Sequence, residues 1–248
     1  MLRITDARTG EPAELRRALT RVHAHVRRSD TSALRVLLVA DVLARVLELG
    51  GIPVLPVADP PAGLRDRANA LGIRPTEAAV AGGGQVLHVV GPDEPPPGAE
   101  GATADGIRVE VARASGPTEV EAEPGGPGSP GASSASSASA LRLALLSRAR
   151  HTPADLDDTD LAGAGRTLDR WRGTVAAWAT RPSRPVPEHV RQALRAAWEN
   201  DLDVPAVLDV LREVEVADDL PDGARFETYA YADRLLGLEL TRDIGAPV

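Results

Sequence analysis

The chain has 248 residues, 43% of them hydrophobic, enough to bury a sizeable core in one or two domains. It contains no cysteine, which excludes disulfides, thiolate metal sites and cysteine nucleophiles, and all 28 basic residues are arginine, which excludes any step that needs a lysine ammonium. The net charge of −8 argues against tight nucleic-acid binding, which calls for a basic face. No apolar run is long enough for a membrane span, and the first residues lack the apolar core of a secretion signal. A cytoplasmic protein with no membrane partner is expected.

Residues 1–10 read as a short strand and turn, and residues 11–21 as a short helix. Residues 21–26, RVHAHV, alternate as a strand does, with His23 and His25 on one face. Such a pair can bind a metal, but no third ligand is evident in the neighbouring sequence, so a half-exposed strand face is expected. Ser29 or Asp30 can cap a helix over 31–49, apolar at Leu34, Leu37, Leu38, Val42, Val46 and Leu49 and closed by Gly50 and Gly51. The strand at 52–58 is apolar throughout, as strands buried in parallel sheets are. Strand, helix and strand in this order make the first half of a Rossmann-like unit. A short helix over 60–71, a glycine turn at 81–84 into a strand at 85–90, a Pro- and Gly-rich loop over 91–106 and a strand at 107–112 follow.

From 115 to 139 the composition falls to Gly, Pro, Ala and Ser, which predicts a disordered linker. Helices then dominate. The first begins at Ala140 with Leu141, Leu143, Leu145 and Leu146. The second is capped by Thr159 or Asp160 and carries Leu168, Trp171, Val175 and Trp178 on one face. Pro182, Pro185 and Pro187 end it, and a third helix spans 188–199. Asp203 and Pro205 start a fourth, as N-cap and first-turn proline, and a fifth covers 226–240. The expected fold is α/β: a reduced Rossmann-like domain over 1–114, the linker, and an α-helical bundle over 140–248.

Several stretches resemble one family. ALRLALLS (140–147), RWR (170–172), NDLDVPAVLDVL (200–211) and LLGLEL (235–240) are similar in order and spacing to the helical domain of cysteinyl-tRNA synthetases and the related cysteine ligase of mycothiol biosynthesis. In the first half, the opening MLRITDARTG and RANALGI (67–73) resemble the same class I synthetase-type proteins. The resemblance implies an ATP-dependent enzyme that adenylates an amino acid, and it puts the HIGH signature at Asp30, Thr31, Ser32 and Ala33, where both histidines are missing. It matches Gly82, Gly83 and Gly84 to the glycines that let a backbone approach the adenosine ribose. Asp30, Thr31, Ser32 and these glycines are therefore the candidate nucleotide-binding positions. An acidic Asp30 there would repel phosphate unless it only caps the helix.

The family's zinc-ligand turn falls near 27–30, RRSD, and its second ligand cluster at Gly91 to Asp93; neither can ligate zinc. The KMSKS loop falls in the linker of a chain that has no lysine. The stretch between these positions is also too short for the subdomain the family inserts there, and little chain remains after Leu240 for an anticodon-binding domain, which fits the mycothiol-type ligase better. The resemblance thus implies a truncated, degenerate paralogue with no catalytic residues, no metal ligands and no zinc expected, ATP being the cofactor it leaves room for. Such a protein would bind a nucleotide, an aminoacyl ligand or a protein partner. The alternatives are an active ligase in which Arg27, Arg28 and Arg35 replace the missing groups, and an interaction module in which only the bundle matters. Arg142, Arg148, Arg166, Arg170 and Arg172 suggest either a docking face or, as expected, solvated stripes.

Overall fold

Parallel pairing organises the first half of the chain. In a computed structural model, which describes residues 2–78, 83–92, 106–116 and 130–245, the central sheet contains β3 (Thr20–His25), β4 (Val54–Val57), β5 (Gln85–Val90) and β6 (Ile107–Glu110). Its order is β4-β3-β5-β6 and every pair in it is parallel, the arrangement of a reduced Rossmann-like sheet. Before it, β1 (Arg3–Thr5) and β2 (Pro12–Glu14) form an antiparallel pair with Ile4 opposite Ala13. The helix expected over 11–21 is absent. Leu15 and Leu19 would share one helical face, yet Leu15 is fully buried and Leu19 is 46% exposed, because β1 offers an edge on which this segment stays extended.

Helix α1 (Thr31–Leu49) is buried from Ala33 to Leu47 with Arg45 as a partial exception. A helix that is apolar on nearly every side needs partners on more than one side. One side of α1 covers β3, β4 and β5; another receives the final helix of the chain. Helix α2 (Ala62–Ala70) follows β4 and buries Leu64 and Ala68. Two short strands, β7 (Ala114–Ser115) and β8 (Ala154–Asp155), pair in parallel and tie the end of the first half to the second.

The second half comprises α3 (Pro130–Leu146), α4 (Asp158–Trp178), α5 (Glu188–Glu199), α6 (Val204–Val216) and α7 (Asp222–Leu236). Helix α3 starts ten residues before Ala140, inside the expected linker, where a run of alanines and serines carries no apolar stripe but contains the best helix former. The cap of α4 is Asp157, in a box with Asp160, rather than Thr159 or Asp160. Asp203 caps α6 as expected, accepting from the Ala206 amide at 3.1 Å. Helix α7 ends at Gly237 in the left-handed conformation, so LEL lies beyond it. Trp171 and Trp178 do share a face: both rings meet Tyr229 edge-on, at 5.8 and 5.3 Å between centroids. One apolar cluster runs from Leu2 through α1 to Leu240 and joins both halves. Gly82, and the parts of the expected loop and linker at 93–105 and 117–129, lie outside the described residues.

Candidate functional site

Open parallel sheets bind ligands beyond the carboxyl ends of their strands. Here that edge is the turn from β3 into α1, which holds Asp30, Thr31 and Ser32. A helix start offers unpaired amide hydrogens and a partial positive charge, and both attract anions. Asp30 occupies that position itself: its carboxylate accepts from the Ala33 amide at 2.8 Å. Ser32 is also engaged. Its hydroxyl donates to the Ala114 carbonyl and accepts from the Ala114 amide, both at 2.9 Å, pinning β7 to the first turn of α1. Thr31 stands next to Gly116.

Arg35, one turn further along, is 1% exposed and donates to the carbonyls of Ala112, Arg113, Thr152, Arg148 and Ala149 at 2.7–3.3 Å. Burial, with the Arg148 charge adding to it, pushes its guanidinium down to about 10, still cationic at neutral pH. Both terminal nitrogens of Arg35 are thus committed to backbone carbonyls, and the side chain stitches the two halves together.

The candidate glycines sit elsewhere. Gly84 immediately precedes β5, whose first residue Gln85 lies opposite Thr20, the first residue of β3. Gly83 and Gly84 are thus at the amino end of the sheet and Asp30 to Ser32 at its carboxyl end, separated by a six-residue strand, about 20 Å. Gly84 has a packing reason of its own. Its φ is +112°, and a Cβ there would fall 2.4 Å from the Leu19 carbonyl oxygen.

The sheet does assemble one cluster that the linear sequence hides. His23 of β3 lies directly opposite His88 of β5, and His25 is two residues on, on the same face. Ring centroids are 5.7 Å apart for His23 and His88, 5.1 Å for His25 and His88, and 6.2 Å for His23 and His25. His25 Nε2 and His88 Nδ1 share a hydrogen bond at 2.9 Å. The third imidazole that the HxH pair lacked locally comes from 63 residues downstream, by strand register. Burial, followed by the neighbouring His88, lowers the pKa of His23, and in the same way brings His25 down to about 4, so both rings are neutral at pH 7.

Two further placements bear on function. Arg142 and Arg172 are buried, at 0% and 1% exposure, so they belong neither to a docking face nor to the solvated stripes expected of them; Arg148 and Arg170 pair with Asp160 and Glu215 at 3.4 and 2.9 Å. A pocket of about 200 Å³ opens at the far end of α1, lined by Arg17, Leu49, Arg195, Trp198 and Tyr231 among others, below the usual volume of a drug-sized ligand site.

The chain is similar to a cysteine ligase. It is 37% identical over 102 residues to the L-cysteine:1D-myo-inositol 2-amino-2-deoxy-alpha-D-glucopyranoside ligase of Kribbella flavida, a match covering 41% of this chain and 24% of that protein. The ligase of the same name from Streptomyces griseus is 37% identical over 107 residues, covering 41% and 25%, and that from Catenulispora acidiphila is 36% identical over 84 residues, covering 34% and 19%. The matches thus span about a quarter or less of the length of these relatives. No family model matches the chain. Among the described residues, no helix is long and apolar enough to cross a membrane.

Proposed function

We propose that this chain is a cysteine-ligase-like protein that binds a nucleotide or aminoacyl ligand, or a protein partner, without catalysing amino-acid activation. The observation that carries this reading is the Asp30 cap. At the point where the resemblance puts a phosphate-stabilising signature, the chain's own carboxylate takes the Ala33 amide, and its negative charge opposes a triphosphate. Adenylation builds charge on the triphosphate and requires preorganised cations or donors. The chain has no lysine, and both terminal nitrogens of Arg35 are bound to backbone carbonyls. Similarity to the ligases supports the origin of the fold, and their name, which pairs L-cysteine with an amino-sugar glycoside of myo-inositol, suggests the class of ligand to try first.

The experiment is a paired measurement on the purified chain. ATP–pyrophosphate exchange with cysteine should stay at background, while the melting temperature should rise with a cysteinyl-sulfamoyl adenosine analogue, since a ligand that binds only the folded state raises stability. Exchange above background would overturn the non-catalytic reading. Silence in both assays would leave the protein partner as the form of binding to pursue.

A further inference from the structure

We propose that His23, His25 and His88 form a binding site for one divalent transition-metal ion of the zinc class, with a coordination position left for a non-protein ligand. The site is set by register. Parallel pairing puts His23 and His88 side by side, and the two-residue repeat of a strand returns His25 to the same face. One ring nitrogen from each of the three lies within 4.8 Å of the others. A tetrahedral zinc site with Zn–N near 2.1 Å needs about 3.4 Å between ligand nitrogens. The His25–His88 contact at 2.9 Å must open by a few tenths of an ångström and the longest separation must close, both within reach of side-chain rotation.

A second observation points the same way. His23 Nε2 is buried and takes no hydrogen bond, a costly state for a polar atom and one that an ion would relieve. Gly106 contributes the wall: with φ at +145°, it brings β6 so close that a Cβ would lie 3.2 Å from His88 Nε2.

The charged groups around the cluster choose the ion. Arg21 lies beside His23 on β3, Arg27 follows β3 near His25, and β6 presents Arg108 opposite His88 with Glu110 two residues on; β4 offers only apolar residues. Arginines disfavour hard, oxygen-seeking dications such as magnesium. An ion with high affinity for imidazole tolerates them, and they favour an anion or hydroxide in the open position.

The test uses the full chain without an affinity tag. Zinc(II) calorimetry should give one ion per chain, and cobalt(II) should give the intense visible bands of a tetrahedral site. H25Q and H88Q should each weaken binding at least about tenfold. The double variant H151Q/H189Q, which removes the two exposed histidines outside the cluster, should bind like the parent. Absence of saturable binding, undiminished binding by H25Q and H88Q, or loss in H151Q/H189Q would overturn the proposal. Should the cluster variants fail to fold by circular dichroism, X-ray absorption on the zinc-loaded parent decides: three imidazoles support the site, two or fewer refute it.

Discussion

Asp41 is where a single side chain holds the most together. It is 5% exposed, and its carboxylate accepts from Arg45 at 2.9 Å, Arg74 at 2.8 Å and Arg142 at 3.0 Å. Arg142 in turn donates to the Leu236 carbonyl at 2.6 Å and the Leu71 carbonyl at 3.0 Å, so one guanidinium satisfies the ends of α7 and α2. Burial alone would raise the Asp41 carboxyl, but the arginine charges and hydrogen bonds, Arg142 foremost, outweigh it and hold the group below the usual carboxylate range. Burial pushes the Arg142 guanidinium down while Asp41 pulls it back, and it remains a cation at neutral pH. D41N keeps the shape and removes the charge, leaving Arg142 buried without the carboxylate it is directly paired with. Urea unfolding at pH 7 should show a loss of about 3–5 kcal/mol. A carboxyl whose folded pKa is depressed stabilises the protein above its unfolded value, here 3.8, and that contribution fades as pH falls through the lower folded value. The gap between parent and D41N should therefore be constant from pH 7 to about 5 and shrink below pH 4; a gap that widened in acid would contradict this assignment.

At the scale of elements, helix ends separate what sequence can and cannot announce. Helices α5 and α6 carry their stop and start signals locally: three prolines before one, Asp203 and Pro205 at the head of the other, and both form where those signals put them. The stripe and the closing glycines of α1 were equally legible. The β1–β2 pair was not, because two three-residue strands are specified by each other rather than by any period in 11–21. Nor was the start of α3, where a helix adds turns of small residues to an anchored apolar end. The histidine cluster stayed hidden for a third reason: spacing along the chain reports two of its members, and only the β3–β5 register supplies the other. Gly237 shows how an element end can be bound to its surroundings. It has φ +60°, and a Cβ would lie 2.8 Å from Arg142 Nη2; Gly51, at φ +74°, has open space around its missing Cβ. G51A should cost about 1–2 kcal/mol for the left-handed backbone alone. G237A should cost more, by the energy of displacing the Arg142 guanidinium, and equal losses in chemical denaturation would show that the contact carries nothing.

For the whole molecule the question is whether the α/β half and the helical half stand or fall together. Sequence composition divides them at the Gly-, Pro- and Ser-rich stretch, and a flexible linker between separate cores would let each unfold alone. The packing argues otherwise. Helix α1 is the common wall: the sheet lies on one side, while α7 packs on another and α3 reaches it through the Arg142–Asp41 ion pair. Arg35, also on α1, is fastened to carbonyls at 148, 149 and 152, and Arg150 donates to the Glu110 carbonyl at 2.7 Å. Removing either half would strand these buried cations and expose the apolar surface of α1, so partial unfolding carries a cost close to that of global unfolding. All three tryptophans, Trp171, Trp178 and Trp198, belong to the helical half and report only on it. Their fluorescence transition in urea should coincide with the loss of amide-exchange protection in β3 and β5. A midpoint difference larger than about 0.5 M, at the slope of 1–3 kcal/mol/M usual for small proteins, would mean that the halves are energetically separate despite the shared wall.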